Sequence, residues 1–482
     1  MLFTEPLFLF LFLPVLLGLY FVSPKRARNF ILLCASLLFY AFGETFYLSI
    51  LLLSILINYV SGLAIDRSQD ERRRRIRLQF GIAGNLLLLG TFKYTVFLVA
   101  NLNQLLALRG RAPLPLPQMH LPIGISFFTF MGMSYLVDVY WRQIEVERRP
   151  AIFALYITLF PHLVAGPIVR FSEIARELVE RRTSRTEFAE GVRRFVVGLG
   201  KKMLIANTLA LTVDSIYSAP SNQLTTAAGW LGTFCYALQI YFDFSGYTDM
   251  AIGLARIFGF HFPENFNYPY TSQSISEFWR RWHITLSSWF RDYLFFPLSY
   301  RRPHWRVMLN LFFVFLLCGL WHGARWNFIV WGMIHGSFLV FEGVGLAKWL
   351  TKSPRLLRHL YVMLVIIFGS VFFRSETLSQ ALGILKVMFG GAGSESITKS
   401  AATYLNAELL AALAASIIGS LPVVPWLRGQ QEKFAADLKG AASLLLRACM
   451  MLTEITAMAL IFVASAALSA AGTYAPFIYF KF

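Results

Sequence analysis

Apolar runs long enough to cross a bilayer recur along this chain, and short arginine-rich connections separate them. A crossing needs about 20 predominantly apolar residues, and backbone freed by a break is tolerated in lipid only where other helices bury it. That restricts the chain to one fold class: an all-α, polytopic bundle of transmembrane helices. Only 15% of the residues are charged, against about 25% in a soluble domain. The net charge of +18 would suggest nucleic acid in a soluble protein. Here the basic residues sit between apolar runs, as the positive-inside rule and anionic cytoplasmic lipids require, so no nucleic-acid partner is expected.

The runs place spans at 6–22, 30–42, 46–65, 80–100, 121–140, 151–169, 195–212, 226–243, 307–321, 326–345, 360–373, 408–424 and 444–466. Some are read as re-entrant or broken, which gives roughly ten to twelve crossings. SPKRARN (23–29) and DRSQDERRRRIR (66–77) are both basic and two spans apart. Both therefore face the cytoplasm, and the N-terminus faces the outside. The first run has no basic stretch before it and no small-residue cleavage site, so it reads as a retained span rather than a cleaved signal.

No separate soluble domain or internal repeat interrupts residues 1–482. Residues 170–194 carry both signs of charge and read as a surface helix. Residues 261–306 mix His261, Asn265, Asn267, Glu277 and several arginines with aromatic residues. Such a segment is too polar to span, so it lines a cavity or lies on the cytoplasmic interface. Its tryptophans read as an interfacial belt or core. Residues 307–345 form the third distinctive region.

Two histidines stand out. His322 closes an apolar run in GLWHGARWNF (319–328), and His283 sits in EFWRRWHITLSSWFRDY (277–293). A helix starting near Val307 would carry His322 about 22 Å into a hydrocarbon core about 30 Å thick. The apolar stretch 307–341 is too long for one ordinary span, which predicts a break or cavity near Gly323–Asn327. An imidazole at that depth is expensive, which favours function, and its pKa suits proton transfer. The alternative is a histidine that hydrogen-bonds a carbonyl between packed helices. Arginines surround His283, so it is placed near the cytoplasmic mouth. His120, His162, His335 and His359 read as packing or boundary residues. Cys34, Cys235, Cys318 and Cys449 are scattered without CxxC, and no HxxxH or HExxH occurs, so no metal site is expected. P-loop, GxGxxG and GxSxG motifs are also absent.

FDFSGYTDMAIGLARIFGFHFPENFNYPYTSQSISEFWRRWHITLSSWFRDYLFFPLS (242–299) and GLWHGARWNFIVWGMIHG (319–336), with HLVAGPIVR (162–170) and the terminal FIYFKF (477–482), resemble the membrane-bound O-acyltransferase family. The likeness is strongest to its bacterial branch of alginate-type O-acetyltransferase membrane subunits. It implies a many-helix fold around a reaction chamber, with the family's invariant histidine at His322 and its second position at His283. It further implies acetyl transfer from a cytoplasmic donor, acetyl-CoA, which is not tightly bound, across the inner membrane to an exported polysaccharide, alginate first, together with extracytoplasmic partner proteins. Arg280, Arg281 and Arg291 would then meet the donor's phosphates, unless they only anchor the cytoplasmic face. Within the family, D-alanyl transfer to teichoic acid and acetylation of peptidoglycan or cellulose stay open. A transporter or a secretion scaffold is the reading from another class. One departure is SYRRPH (299–304), where many relatives have a GGNR-like stretch.

Overall fold

The computed structural model describes residues 1–391, 400–438, 440–472 and Phe477. Of FIYFKF, only Phe477 falls among the described residues. Helices and their connections build the protein, with no strand among the described residues. Among the described residues, eight helices are long and apolar enough to cross a membrane, and a ninth crossing results if Ala407–Gly419 and Val423–Asp437, bent by 62°, are one span. Phe8–Val22, Ile125–Tyr140 and Leu378–Met388 are apolar but shorter. The expected ten to twelve crossings are reached only when these are included.

Some expected spans take another form, for physical reasons. Residues 151–169 break into Pro150–Thr158 and Phe160–Leu163. Pro161 fits only in a helix's first turn, so it begins a new helix instead of extending the old one. Residues 226–243 belong to a 32-residue helix, Thr226–Ile257, which is not one of the apolar eight. Gln239, Asp243 and Asp249 lie along it, and its residues are nearly all buried, Gln239 and Asp243 among them. It is the central helix, shielded from lipid by its neighbours. Residues 170–194, expected as one surface helix, divide in two. Phe171–Val179 is separate, and a second helix starts at Arg185 behind a Ser184 cap and runs on to Tyr217.

The Arg185–Tyr217 and Thr226–Ile257 helices meet at close quarters. Gly191 faces Gly253 and Gly198 faces Gly246, two pairs each seven residues apart on antiparallel helices. A Cβ at any of the four would lie 2.5–2.8 Å from the opposing glycine's carbonyl oxygen or its helix backbone. Small residues are what allow membrane helices to approach this closely. The same interface carries the ion pairs Lys202–Asp243 at 2.5 Å, Lys201–Asp249 at 2.7 Å and Arg194–Asp249 at 2.9 Å. In a low-dielectric setting a charge left without its partner costs about 3–5 kcal/mol, so these pairs fix the register of the two helices. Asn58 and Asn85 do the same elsewhere through reciprocal hydrogen bonds of 3.0 and 2.8 Å.

Replacing Gly198 or Gly253 by Val forces backbone apart and should destabilise the protein by about 1–3 kcal/mol. A thermal unfolding scan of the purified protein in detergent should show a lower Tm. An unchanged Tm would mean the helices do not pack as described.

Candidate active site

The break expected near Gly323–Asn327 is present. The His304–His322 helix ends at His322, Gly323 and Arg325 are extended, and the Trp326–Phe341 helix turns back alongside. The two helices can lie together because Gly319 and Gly332 face each other, with a Cβ at Gly319 only 3.2 Å from the Gly332 Cα. His322 is thus the last residue of a helix that stops inside the protein, and it is 4% exposed. Trp321, Trp331 and Phe373 surround its ring, with centroids 4.9, 5.0 and 5.1 Å away.

His322 opens onto a cavity with about 440 Å³ of empty space, part of it open to the outside. His335, Tyr236, Trp279, Trp282 and Trp331 form much of its wall. Trp279, Trp282 and Trp289 of the 261–306 segment are therefore core, and the first two wall the chamber, whereas Trp305 is exposed. The Tyr236 hydroxyl and the Trp279 indole N–H are buried with no hydrogen-bond partner among the described residues. Buried polar atoms are rarely left in that state, because each costs about 1–3 kcal/mol. A guest bearing a carbonyl or hydroxyl oxygen would satisfy them. A carboxylate holds the wall in place: Glu342 accepts hydrogen bonds from the Ile275 and Ser276 amides at 2.6 and 2.9 Å and from the Tyr361 hydroxyl at 3.1 Å. This ties the start of the Ile275–Arg281 helix, and with it Trp279, to the helix that carries His335.

His283 is 0% exposed, so it lies inside the protein and not at a surface mouth. Local charge misplaced it, because the arginines beside it point away while the imidazole points in. It sits between the Ile275–Arg281 and Ile284–Phe290 helices in a left-handed conformation, φ 44°. That backbone costs a non-glycine residue about 1–3 kcal/mol and persists only where its surroundings dictate it. Asn265 supplies the restraint. Its carbonyl oxygen Oδ1 accepts from the Thr285 amide at 3.2 Å and the Thr285 hydroxyl at 2.9 Å, and its backbone oxygen accepts from the Ile284 amide at 3.0 Å. A backbone amide can only donate, so Oδ1 is an acceptor, and His283 Nδ1, 3.1 Å away, must be the donor. The Trp321 ring lies near both imidazoles, 6.1 Å from His283 and 4.9 Å from His322.

The three arginines are not in the cavity. Arg280 and Arg291 are exposed. Arg281 is held by Glu277 at 3.0 Å and by the Asn267 carbonyl at 3.2 Å. Arg291 pairs with Asp292 at 2.7 Å, and Asp292 also takes Arg170 at 2.7 Å. Burial pushes the Asp292 carboxyl upward, but Arg291 and Arg170 outweigh it and hold the group below the usual carboxylate range. Two residues at the site are not singled out by the sequence, His335, which reads as packing or boundary, and Lys93. His335 faces the cavity, and its place thirteen residues after His322 across a helix break was the available signal. Lys93 hydrogen-bonds the Trp321 carbonyl, and it is the single charge in the apolar run 80–100.

The helix break sets an imidazole against an aromatic chamber inside a helical membrane protein, and residues 149–369 match the model of MBOAT, the membrane-bound O-acyltransferase family. The chain belongs to this family and is an O-acyltransferase, which sets aside the transporter and scaffold readings. Across the whole of both chains it is 39% identical to the probable alginate O-acetylase AlgI of Azotobacter vinelandii. It is 44% identical to the protein of that name from Pseudomonas aeruginosa, over 81% of this chain and 75% of the other. The peptidoglycan O-acetyltransferase of Helicobacter pylori is 36% identical over 84% of this chain and 83% of its own.

Asn265→Ala removes the acceptor that orients His283. It should lower turnover about tenfold or more, as misplacement of a reacting group does, with the amount of membrane protein unchanged on an immunoblot. Full turnover in this variant would show that the His283 orientation is immaterial.

Proposed function

We propose that the protein transfers acetyl from acetyl-CoA, at the cytoplasmic face of the bacterial inner membrane, toward an exported polysaccharide, with alginate as the favoured polymer. The observation that carries this reading is the position of His322 at the end of a broken span, facing a cavity whose unmatched groups suit a carbonyl and a hydroxyl. His322 acts as general base. It takes the proton of the acceptor hydroxyl as that oxygen attacks the thioester carbonyl carbon. The carbon–sulfur bond then breaks, and the sulfur leaves as the CoA thiol after receiving the proton back from the imidazolium. His283, with Nδ1 committed to Asn265, orients a substrate or relays a proton through its other nitrogen.

Arg280 and Arg291, exposed outside the chamber, attract the donor's phosphates, as guanidinium geometry suits. Arg281 and Arg291 are the weaker candidates because Glu277 and Asp292 already hold them. The basic segments 23–29 and 66–77 support a cytoplasmic side for the loops that carry them and an N-terminus outside. Extracytoplasmic partner proteins receive the acetyl group and complete its placement on the polymer. The polymer assignment rests on the names of relatives that align along the whole chain. Peptidoglycan is the second reading, supported by the Helicobacter pylori relative. D-alanyl transfer to teichoic acid stays a weaker alternative within the family.

The test is His322→Ala in a polymer-producing host, with the protein confirmed in the membrane. Loss of a general base costs about 10²–10⁴-fold, so acetyl ester on the exported polymer should fall to background while export continues. Normal acetylation would sink the general-base role, and acetyl ester that the wild type places on the cell wall instead of the polymer, and that the variant loses, would move the acceptor to peptidoglycan.

A further inference from the structure

A helix that stops at membrane depth leaves its last carbonyls without intrahelical donors, and hydrocarbon offers none. The His322 helix has this problem, and two consecutive residues of the Glu71–Ala107 helix answer it. Lys93 Nζ donates to the Trp321 carbonyl oxygen and, at 3.1 Å, to the Ser126 hydroxyl. The Tyr94 hydroxyl donates to the Leu320 carbonyl oxygen at 2.9 Å. Eight residues along from Lys93, the Asn101 side-chain oxygen accepts from the Trp326 indole at 2.9 Å, at the first residue after the break. One helix therefore pins the chain on both sides of Gly323–Arg325.

Lys93 also holds Trp321 by its side chain, since its ammonium lies 5.6 Å from the centre of that ring. Lysine inside a span is costly and calls for a reason. Charge neutralisation is not the reason, because no carboxylate among the described residues lies within ion-pair distance of it. Its charge goes instead to the C-terminal end of a helix, where the macrodipole favours a cation. It does not line the cavity.

We propose that Lys93, assisted by Tyr94, is a positioning residue for acyl transfer: it fixes the end of the His322 helix and the Trp321 ring, and so sets the His322 imidazole and the ring that lies near both imidazoles. This rests on the reading of His322 as general base. Because Lys93 touches the catalytic helix and not the chamber, its loss lowers kcat and leaves the KM for donor in place.

The experiment uses inner-membrane vesicles from the polymer-producing host, labelled acetyl-CoA over a range of concentrations, and rates normalised to the amount of enzyme in the membrane. Lys93→Met should lower kcat about tenfold or more with KM within about twofold, the size expected when a reacting group is displaced by an ångström. Lys93→Arg, which keeps charge and donors, should recover much of the loss. Tyr94→Phe keeps the charge and removes one hydroxyl, so it decides the matter if Lys93→Met does not accumulate, and it should show a smaller fall in kcat at unchanged KM. Wild-type kcat in the variant that decides, or a loss confined to KM, overturns the positioning role. His322→Ala in the same assay separates the two claims. If it is inactive while Lys93→Met is normal, only the positioning role fails, and if it is fully active both fail.

Discussion

Satisfying polar groups away from water is the constraint on which this structure turns. A helix end costs little at a surface, where water completes the hydrogen bonds, but a great deal inside a bilayer. The chain nevertheless ends a helix at His322 and begins another at Trp326. That break makes room for a chamber, and the surrounding helices must then cover every group the break exposes. The Glu71–Ala107 helix covers the carbonyls, Glu342 covers the amides of the Ile275–Arg281 helix, and Asn265 covers the turn that presents His283. Three separate polar contacts thus stabilise one irregular region, which explains why residues so far apart in sequence converge there.

Much of the fold was legible because hydropathy reports directly on lipid contact. The segments at 307–321, 326–345, 360–373 and 444–466 all fall within long apolar helices, and 46–65 matches Leu48–Asp66 apart from its first two residues. The reading weakened where a helix is sheltered by protein instead of lipid. Thr226–Ile257 carries aspartates that hydropathy counts against it, yet its partners neutralise them. Residues 151–169 looked like a span because they are apolar, but Pro161 breaks them and packing against other helices tolerates the break. Composition cannot distinguish a segment buried in protein from one buried in lipid.

The site was partly legible for a related reason. His322 was conspicuous because a titratable group interrupts a long apolar run, and the same reasoning, applied to every run, would have found Lys93. His283, expected near a surface mouth, is enclosed instead, since charge density along the chain averages over side chains that point in opposite directions. The arginines beside it are exposed or paired, while the imidazole is enclosed. Glu342, the single charge in the run 326–345, would have been found in the same way, whereas Tyr236 carried no such signal. Their importance comes from what the fold brings next to them, which only the three-dimensional arrangement reveals.

What unites the site is a single chamber in which an imidazole at a helix end faces aromatic walls and unmatched donors. Its central claim is that the acyl group reacts there. The most direct measurement is a structure of the membrane-embedded protein bound to a non-hydrolysable thioether analogue of acetyl-CoA. The acyl carbon should lie in the cavity beside Trp279 and Trp331, with the attacking position about 3–3.5 Å from the His322 ring once an acceptor is present. An analogue whose acyl end sits outside this chamber, away from His322, would contradict the assignment of the active site.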